Sequence, residues 1–297
     1  MQKRRIKPGV VSSLLVVLMV LVTCSSSAFA IIGGVYSEND QGSYLLDIKT
    51  DDGDEVICSG VAIAPRLYLT AGHCVAVGFV GYEPEMRIIT GPEREFTQDD
   101  EVFEVTGRYL HPEFNQAFIE GGFDLAILVV ERDFPTHVTL PTERLPDETW
   151  ELLAVGYGLS GDDMMGHRFS VTLPVQMRDE EKVLVGDAMV SACNGDSGGP
   201  LFDAHGNVVA TLSYGSPGCT MGMTATLLFP HLEFIHKVVD YEEYKQSAQE
   251  EPTPPTDDNS SETCSQSGYT PASPPPIFIL CMVSFMWGIR RRCMKLE

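Results

Sequence analysis

The residues best suited to chemistry in this chain lie between Cys193 and Pro200, where the sequence reads CNGDSGGP. A serine hydroxyl is a weak nucleophile unless a base removes its proton and donors stabilise the resulting oxyanion. The glycines around Ser197 let the backbone turn, so that the amides of Gly195 and Ser197 can converge on one oxygen. An ordinary Gly-rich turn needs only one or two of these residues. The stretch therefore predicts a nucleophilic serine.

A candidate base and a candidate acid occur earlier in the chain. Residues 69–74 read LTAGHC and contain His73, whereas residues 123–128 read FDLAIL and contain Asp124. Alone, such a histidine is usually structural, and such an aspartate usually starts a strand. They become members of a candidate triad because Ser197 supplies the nucleophile that a base and an orienting acid would serve.

Short strands are the elements predicted to hold these residues. Runs of 5 to 9 residues rich in Val, Ile, Leu and aromatic residues alternate with Gly, Pro and Asp. A helical period appears first in residues 231–244, where Leu232, Ile235, Val238 and Val239 share one face. The pattern predicts an antiparallel all-β sandwich or barrel with one C-terminal helix. The clearest runs are 44–48, 56–64, 123–130, 151–155 and 208–214.

Residues 1–30 have the form of an export signal. Basic residues precede a 13-residue apolar run, 10–22, which is short for a membrane span of about 20 residues. Residues 28–30, AFA, then offer small side chains to a signal peptidase. Lipoprotein processing before Cys24 is the alternative, although Thr23 fits it poorly. We expect an extracytoplasmic protein that is secreted or anchored in the cell envelope.

The composition changes again after the predicted catalytic domain, residues 31–250. Residues 251–276 are rich in Pro, Ser and Thr, as in an extended linker. Residues 277–297 contain a short apolar run followed by arginines, which is a marginal membrane span with its basic end inside. This tail resembles the C-terminal sorting segments of bacterial surface proteins. It predicts a membrane anchor that a tail-processing protease could remove.

The overall charge excludes one class of partner. The 297 residues are 43% hydrophobic and 21% charged, as in a globular chain. Residues 31–250 carry 37 acidic and 12 basic side chains. Nucleic acid is therefore not an expected partner, because phosphates are bound by clustered Lys and Arg. The acidic surface serves either solubility or the steering of cationic substrates.

Four of the eight cysteines lie in the predicted domain: Cys58, Cys74, Cys193 and Cys219. None forms a CxxC pair, so no metal site is expected, and two disulfides are the economical interpretation. The count alone permits three pairings.

Together the motifs resemble those of the chymotrypsin-like (trypsin-family) serine proteases. The order His, Asp, Ser is also that family's order. The resemblance implies two antiparallel six-stranded β-barrels with a C-terminal helix, and it covers most of residues 31–244. The aspartate-to-serine segment is shorter than usual in the family and lacks one common disulfide. The matching stretches are 31–34 (IIGG), 70–74 (TAGHC), 124–126 (DLA), 156–158 (GYG), 195–200 (GDSGGP) and 213–215 (SYG).

The resemblance also implies roles for individual residues. His73 would act as the base, Asp124 would orient it, and the amides of Gly195 and Ser197 would form the oxyanion hole. No cofactor is implied. Disulfides would join Cys58 to Cys74 and Cys193 to Cys219.

By the same resemblance, Ser191 lies at the base of the specificity pocket, with Gly215 and Gly222 on its walls. The edge formed by residues 213–215, which begins at Ser213, would hydrogen-bond the substrate backbone. A neutral serine at the bottom of the pocket favours apolar or aromatic substrate residues over Lys and Arg. A displaced acid, Asp187 or Asp203, is the alternative.

An activation ion pair between the amino group of Ile31 and Asp196 is implied as well. Because residues 28–30 directly precede Ile31, signal removal would itself expose that amine. The sequence therefore predicts a serine endopeptidase acting on proteins or peptides. The alternatives are an inactive protease-like binding module and a surface adhesin.

Overall fold

A computed structural model describes residues 30–39, 41–50, 53–76, 84–95, 97, 100–160 and 165–249 of the chain. The predicted export signal, apart from Ala30, and the predicted linker and tail lie outside these residues. Within them, no helix combines the length and the apolar character needed to cross a membrane.

The first half of the described chain forms a closed antiparallel barrel. A two-residue strand, β1 (Val35–Tyr36), precedes it. The barrel closes in the order β2-β3-β4-β7-β6-β5. Its strands are β2 (Ser43–Lys49), β3 (Glu55–Ala64), β4 (Leu67–Thr70), β5 (Glu85–Ile89), β6 (Val102–Leu110) and β7 (Ala126–Val130).

The second half forms a second antiparallel barrel. It closes in the order β8-β9-β10-β13-β12-β11 through the pairing of β11 with β8, and β1 pairs with the first two residues of β9, Phe169 and Ser170. The predicted pair of six-stranded barrels is therefore confirmed. The strands are β8 (Glu151–Gly156), β9 (Phe169–Arg178), β10 (Lys182–Val185), β11 (Pro200–Phe202), β12 (Val208–Gly215) and β13 (Met223–Leu227).

Short helical elements complete the domain. A single turn, α1 (Gly72–Val75), follows β4, and α2 (Leu232–Gln249) ends the described chain. The predicted C-terminal helix is thus confirmed. It extends five residues beyond the apolar period, where Lys245 pairs with Glu242 across 2.9 Å. Three 3₁₀ turns lie at Gln116–Gly121, Pro217–Cys219 and Phe229–His231.

Apolar packing holds the two barrels together. Each barrel has its own core, and a third cluster lies between them. That cluster joins Leu69 and Ile127 of the first barrel to Val155 and Phe202 of the second. Ile235 of α2 packs into the same cluster. Because burial of apolar area is the main favourable term in folding, this cluster fixes the cleft that the barrels share.

Candidate active site

Strand register brings His73 and Asp124 to the same end of the first barrel. Strands β4 and β7 are antiparallel, with Thr70 opposite Ala126. His73 follows Thr70 by three residues, and Asp124 precedes Ala126 by two, so both leave the barrel at one edge. The predicted strand 123–130 begins only at Ala126, which corrects its boundary. The reason is a tight turn around Asp124, in which the Leu125 N–H donates to the Phe123 carbonyl at 2.9 Å.

Asp124 is buried and holds the histidine through two hydrogen bonds. The residue is 1% exposed. His73 donates to it from the backbone N–H at 2.8 Å and from Nδ1 at 2.7 Å. The Ser213 hydroxyl also donates to Oδ2, at 2.5 Å. Because Nδ1 carries its proton toward the carboxylate, Nε2 is left as the acceptor for a nucleophile's proton.

Ser197 lies across the cleft from this pair, in the loop before β11. The Ser59 N–H of the first barrel donates to the Ser197 carbonyl at 2.8 Å, and the Gly198 N–H donates to the Leu212 carbonyl at 2.7 Å. These bonds hold the loop that carries Ser197, here called the serine loop, against both barrels. The Ser197 hydroxyl donates to the Ser213 carbonyl at 3.2 Å. In the described residues it makes no hydrogen bond with His73, so a rotation of the side chain must precede proton transfer.

The backbone beside Ser197 presents two free donors. Within the described part of the chain, the N–H groups of Gly195 and Ser197 have no intramolecular acceptor. The Asn194 carbonyl accepts from the Leu159 N–H at 2.6 Å. This bond directs the N–H of the same trans peptide, which belongs to Gly195, the opposite way. Gly195 has a φ of 95°, and a Cβ there would lie 2.9 Å from the Cα of Gly158. Two unpaired donors beside a serine are the arrangement that stabilises an oxyanion.

Asp196, next to the candidate nucleophile, is fully buried. It accepts hydrogen bonds from the backbone N–H groups of Gly158 and Cys193, both at 2.8 Å. Burial raises its pKa from 3.8 to about 7, although the two backbone donors counteract the rise. Ile31 is also fully buried and packs in the core of the second barrel.

The predicted specificity pocket begins at Ser191, which is fully buried. The Ser191 N–H donates to the Ile32 carbonyl at 3.1 Å, and its hydroxyl donates to the Ala192 carbonyl at 2.9 Å. The second predicted wall residue, Gly222, has a φ of 81°. A Cβ there would approach the Val185 carbonyl oxygen to 2.4 Å. Glycine at this position is therefore explained by backbone crowding, in addition to any room it leaves for a substrate.

The other predicted wall residue, Gly215, lies at the exposed end of β12. It pairs with Met223 of β13, and a Cβ at Gly215 would lie 3.2 Å from the carbonyl oxygen of Gly222. The two predicted wall glycines are therefore neighbours across the strand pair.

Asp187 and Asp203, the two candidates for a negative charge in the pocket, both accept hydrogen bonds within their own turns. Asp187 accepts from the N–H groups of Met189 and Val190, at 2.7 and 3.0 Å. Asp203 accepts from the side-chain amide of Asn207 and from the backbone N–H groups of Asn207 and His205, and these bonds hold its pKa below the usual value despite partial burial. Each carboxylate therefore caps its own turn.

Disulfides join Cys58 to Cys74 and Cys193 to Cys219, the pairing that the resemblance implies. The first anchors α1, which carries His73, to β3. The sulfurs of Cys58 and Cys74 also lie within 4.8 Å of a nitrogen of His73. These sulfurs offer no thiolate to a metal, because they are bonded to each other.

Two contributors to this site carry no clear sequence signal. The Ser213 hydroxyl bonds Asp124, whereas the sequence pointed only to a role in substrate binding. Ser59 contacts the serine loop through its side chain and its backbone. The one available hint was a polar residue inside the otherwise apolar run 56–64.

Comparison with known proteins gives one family model and several relatives. The trypsin family model matches residues 31–236. A trypsin of Saccharopolyspora erythraea is 28% identical over 208 residues, which are 64% of this chain and 88% of that protein. Glucanase inhibitor protein 3 of Phytophthora infestans is 30% identical over 66% of this chain and 82% of its own length. A solved structure titled "Structure of GrC" matches the fold with a TM-score of 0.60 at 19% identity, covering 70% of this chain and 99% of that one.

Proposed function

The chain belongs to the trypsin family, and we propose that it is an exported serine endopeptidase with the triad His73, Asp124 and Ser197. The observation that carries the proposal is the buried Asp124, bonded to Nδ1 of His73 across the cleft from Ser197. Hydrolysis of an unfolded protein by the purified domain 31–250 tests it. A serine-directed phosphonate should abolish that hydrolysis, and an inert domain would refute the proposal.

The proposed mechanism gives each of these groups a role. Ser197 rotates toward Nε2 of His73, loses its proton to it and attacks the substrate carbonyl. Asp124 keeps the imidazole in the required tautomer and stabilises its protonated form. The N–H groups of Gly195 and Ser197 stabilise the oxyanion, at roughly 3 to 4 kcal/mol for one donor. His73 then protonates the leaving amine, and water hydrolyses the acyl-enzyme.

Binding without catalysis is a second candidate function. One relative is named as an inhibitor of a glucanase, which indicates that a related chain can act by binding another protein. A surface adhesin would belong to the same class. The hydrolysis assay separates these candidates from an enzyme, because a binding module would leave the substrate intact.

We expect cleavage after Phe, Tyr, Leu or Met, and not after Arg or Lys. The support is the neutral, buried Ser191, together with the turn-capping bonds of Asp187 and Asp203. A peptide library measures the preference directly, and a profile dominated by basic residues would contradict it. Ser191→Asp is the complementary variant. It should raise the relative rate after Arg and Lys, with Ser247→Ala on the exposed part of α2 as a control that leaves the profile unchanged.

Activation by signal removal is part of the proposal. Ile31 has a φ of 42°, an unfavourable value for a β-branched residue. Its φ is defined by the bond to Ala30, so cleavage of that bond releases the strain. The freed amine would also supply a positive charge to the buried Asp196, which has no cationic partner among the residues that the structure describes. Export, and retention by residues 277–297, complete the proposal. The two disulfides fit an oxidising compartment.

Stability should depend on pH differently before and after this cleavage. In a domain that keeps Ala30, the raised pKa of Asp196 contributes stability that is full below about pH 4 and is lost as the pH rises toward 7. In a domain that starts at Ile31, pairing raises the pKa of the amine above its usual value of about 7.7 to 8. That stabilisation is lost only as the pH rises through the raised value.

Urea midpoints of the two domains between pH 4 and 9 measure the effect. We expect their difference to widen from pH 4 to 7 and to narrow at alkaline pH. Asp196→Asn in the Ala30 domain should remove the part of the dependence between pH 4 and 7 that Asp196 contributes. A difference that does not change with pH would argue against the ion pair.

A further inference from the structure

Ser59 contacts both residues whose N–H groups form the candidate oxyanion hole. It lies on β3, directly after the disulfide cysteine Cys58, and is 1% exposed. Its hydroxyl donates to the Gly195 carbonyl at 2.9 Å. Its backbone N–H donates to the Ser197 carbonyl at 2.8 Å. One residue of the first barrel thus fixes a loop of the second barrel at two points.

A third group, the Tyr157 N–H, shows that the Ser59 hydroxyl donates its proton to the Gly195 carbonyl. The Tyr157 N–H donates to Oγ of Ser59 at 2.9 Å. A hydroxyl has a single proton, so an oxygen that accepts from Tyr157 can still direct that proton to Gly195. Without the hydroxyl, a buried N–H and a carbonyl would each lose a partner, which is costly.

The groups that hold Ser59 are themselves fixed. Tyr157 is fully buried, and its phenol donates to the Gly91 carbonyl at 2.9 Å and accepts from Arg168 at 3.1 Å. The Ser59 carbonyl accepts from the Thr70 hydroxyl at 2.8 Å. The hydroxyl is therefore a rigid support for the Gly195 carbonyl, because both ends of the bridge are anchored in the protein interior.

We propose that Ser59 is a positioning residue for the oxyanion hole. Its hydroxyl fixes the peptide that follows Gly195 and so keeps the donors of the hole in place. The inference rests on the proposed endopeptidase function. Gly195 has a φ of 95° and no side chain to restrain it, so its orientation depends on bonds such as this one. Loss of the bond leaves the Leu159–Asn194 bond to hold the Gly195 N–H from one side, so that this N–H turns away from the oxyanion more easily. The effect is confined to the transition state, since the ground-state substrate gains little from that donor.

The test compares Ser59→Ala with wild type on one peptide substrate, with rates expressed per active site titrated by a serine-directed phosphonate. We expect kcat to fall about 10- to 100-fold, as for a catalytic donor displaced by less than 1 Å. KM should change less than about twofold, because substrate binding does not use the bond. A peptide boronic acid, whose tetrahedral adduct occupies the oxyanion hole, should lose affinity by the same factor as kcat.

Two further variants complete the comparison. Ser43→Ala removes a buried hydroxyl that has no hydrogen-bond partner among the described residues, so it should leave kcat unchanged. Ser59→Thr keeps the hydroxyl and should retain kcat within about threefold of wild type. If Ser59→Ala does not fold, Ser59→Gly removes the same hydroxyl and is measured in the same way.

Three results would overturn the inference. The first is an unchanged kcat per titrated site in Ser59→Ala, and the second is a loss carried by KM alone. The third is an equal loss in Ser59→Thr, which would assign the effect to packing around the Cβ. A wild-type protein that neither hydrolyses the substrate nor reacts with the phosphonate would instead refute the proposed function, so the two failures are distinguishable.

Discussion

Replacing Ser197 with alanine is expected to reduce kcat for peptide and ester hydrolysis by about 10⁶-fold, to the level left by binding and the oxyanion hole. His73→Ala should have an effect of similar size, because neither the nucleophile nor its base acts without the other. The double variant should be no slower than either single variant, since the two residues act as one unit. Steady-state rates with a chromogenic ester and a peptide amide measure all three.

Both substitutions should leave the fold intact. Ser197 and His73 are partly exposed at the cleft, and neither belongs to an apolar cluster. Thermal melts should therefore remain close to wild type. His205→Ala is a matched control, because that side chain is 86% exposed on the turn between β11 and β12. Hydrolysis at the wild-type rate by Ser197→Ala or His73→Ala would refute the triad.

Asp124→Asn is expected to lower kcat by about 10⁴-fold. The amide that replaces the carboxylate can donate to Nδ1 of His73. The ring would then carry its proton on Nε2 and could not accept one from Ser197. The buried Ser213 hydroxyl would also lose a charged acceptor at 2.5 Å.

Kinetics of Asp124→Asn with the same ester and amide measure this effect. Asp133→Asn is the control, since that carboxylate is 65% exposed and pairs only with Arg66 in the described residues. An Asp124→Asn enzyme within tenfold of wild type would mean that another group orients His73.

The sequence predicted those features of the fold that a local pattern of residues determines. Apolar runs separated by Gly, Pro and Asp predicted the strands, and the resemblance to a known family predicted the pair of barrels. The start of β7 was missed, because Asp124 takes part in a turn that its bonds to His73 and Ser213 stabilise. Local patterns fail most often at functional sites, where tertiary contacts override propensity.

Contacts between segments distant in sequence could not be predicted. Ser59 and Gly195 are 136 residues apart, and neither residue type indicates the other. The crowding of Gly222 against the Val185 carbonyl depends on how two strands of the second barrel approach each other. Such features follow from packing, which a single sequence does not encode locally.

Covalent labelling of the domain 31–250 by a serine-directed phosphonate is the most direct test of the central claim. The expected result is one adduct per molecule, located on Ser197 by peptide mass spectrometry and absent from the Ser197→Ala variant. Labelling should also be lost in His73→Ala, because the reagent reports an activated nucleophile and not an exposed hydroxyl. An unlabelled wild-type domain, or an adduct on another residue, would contradict the assignment of this protein as a serine endopeptidase.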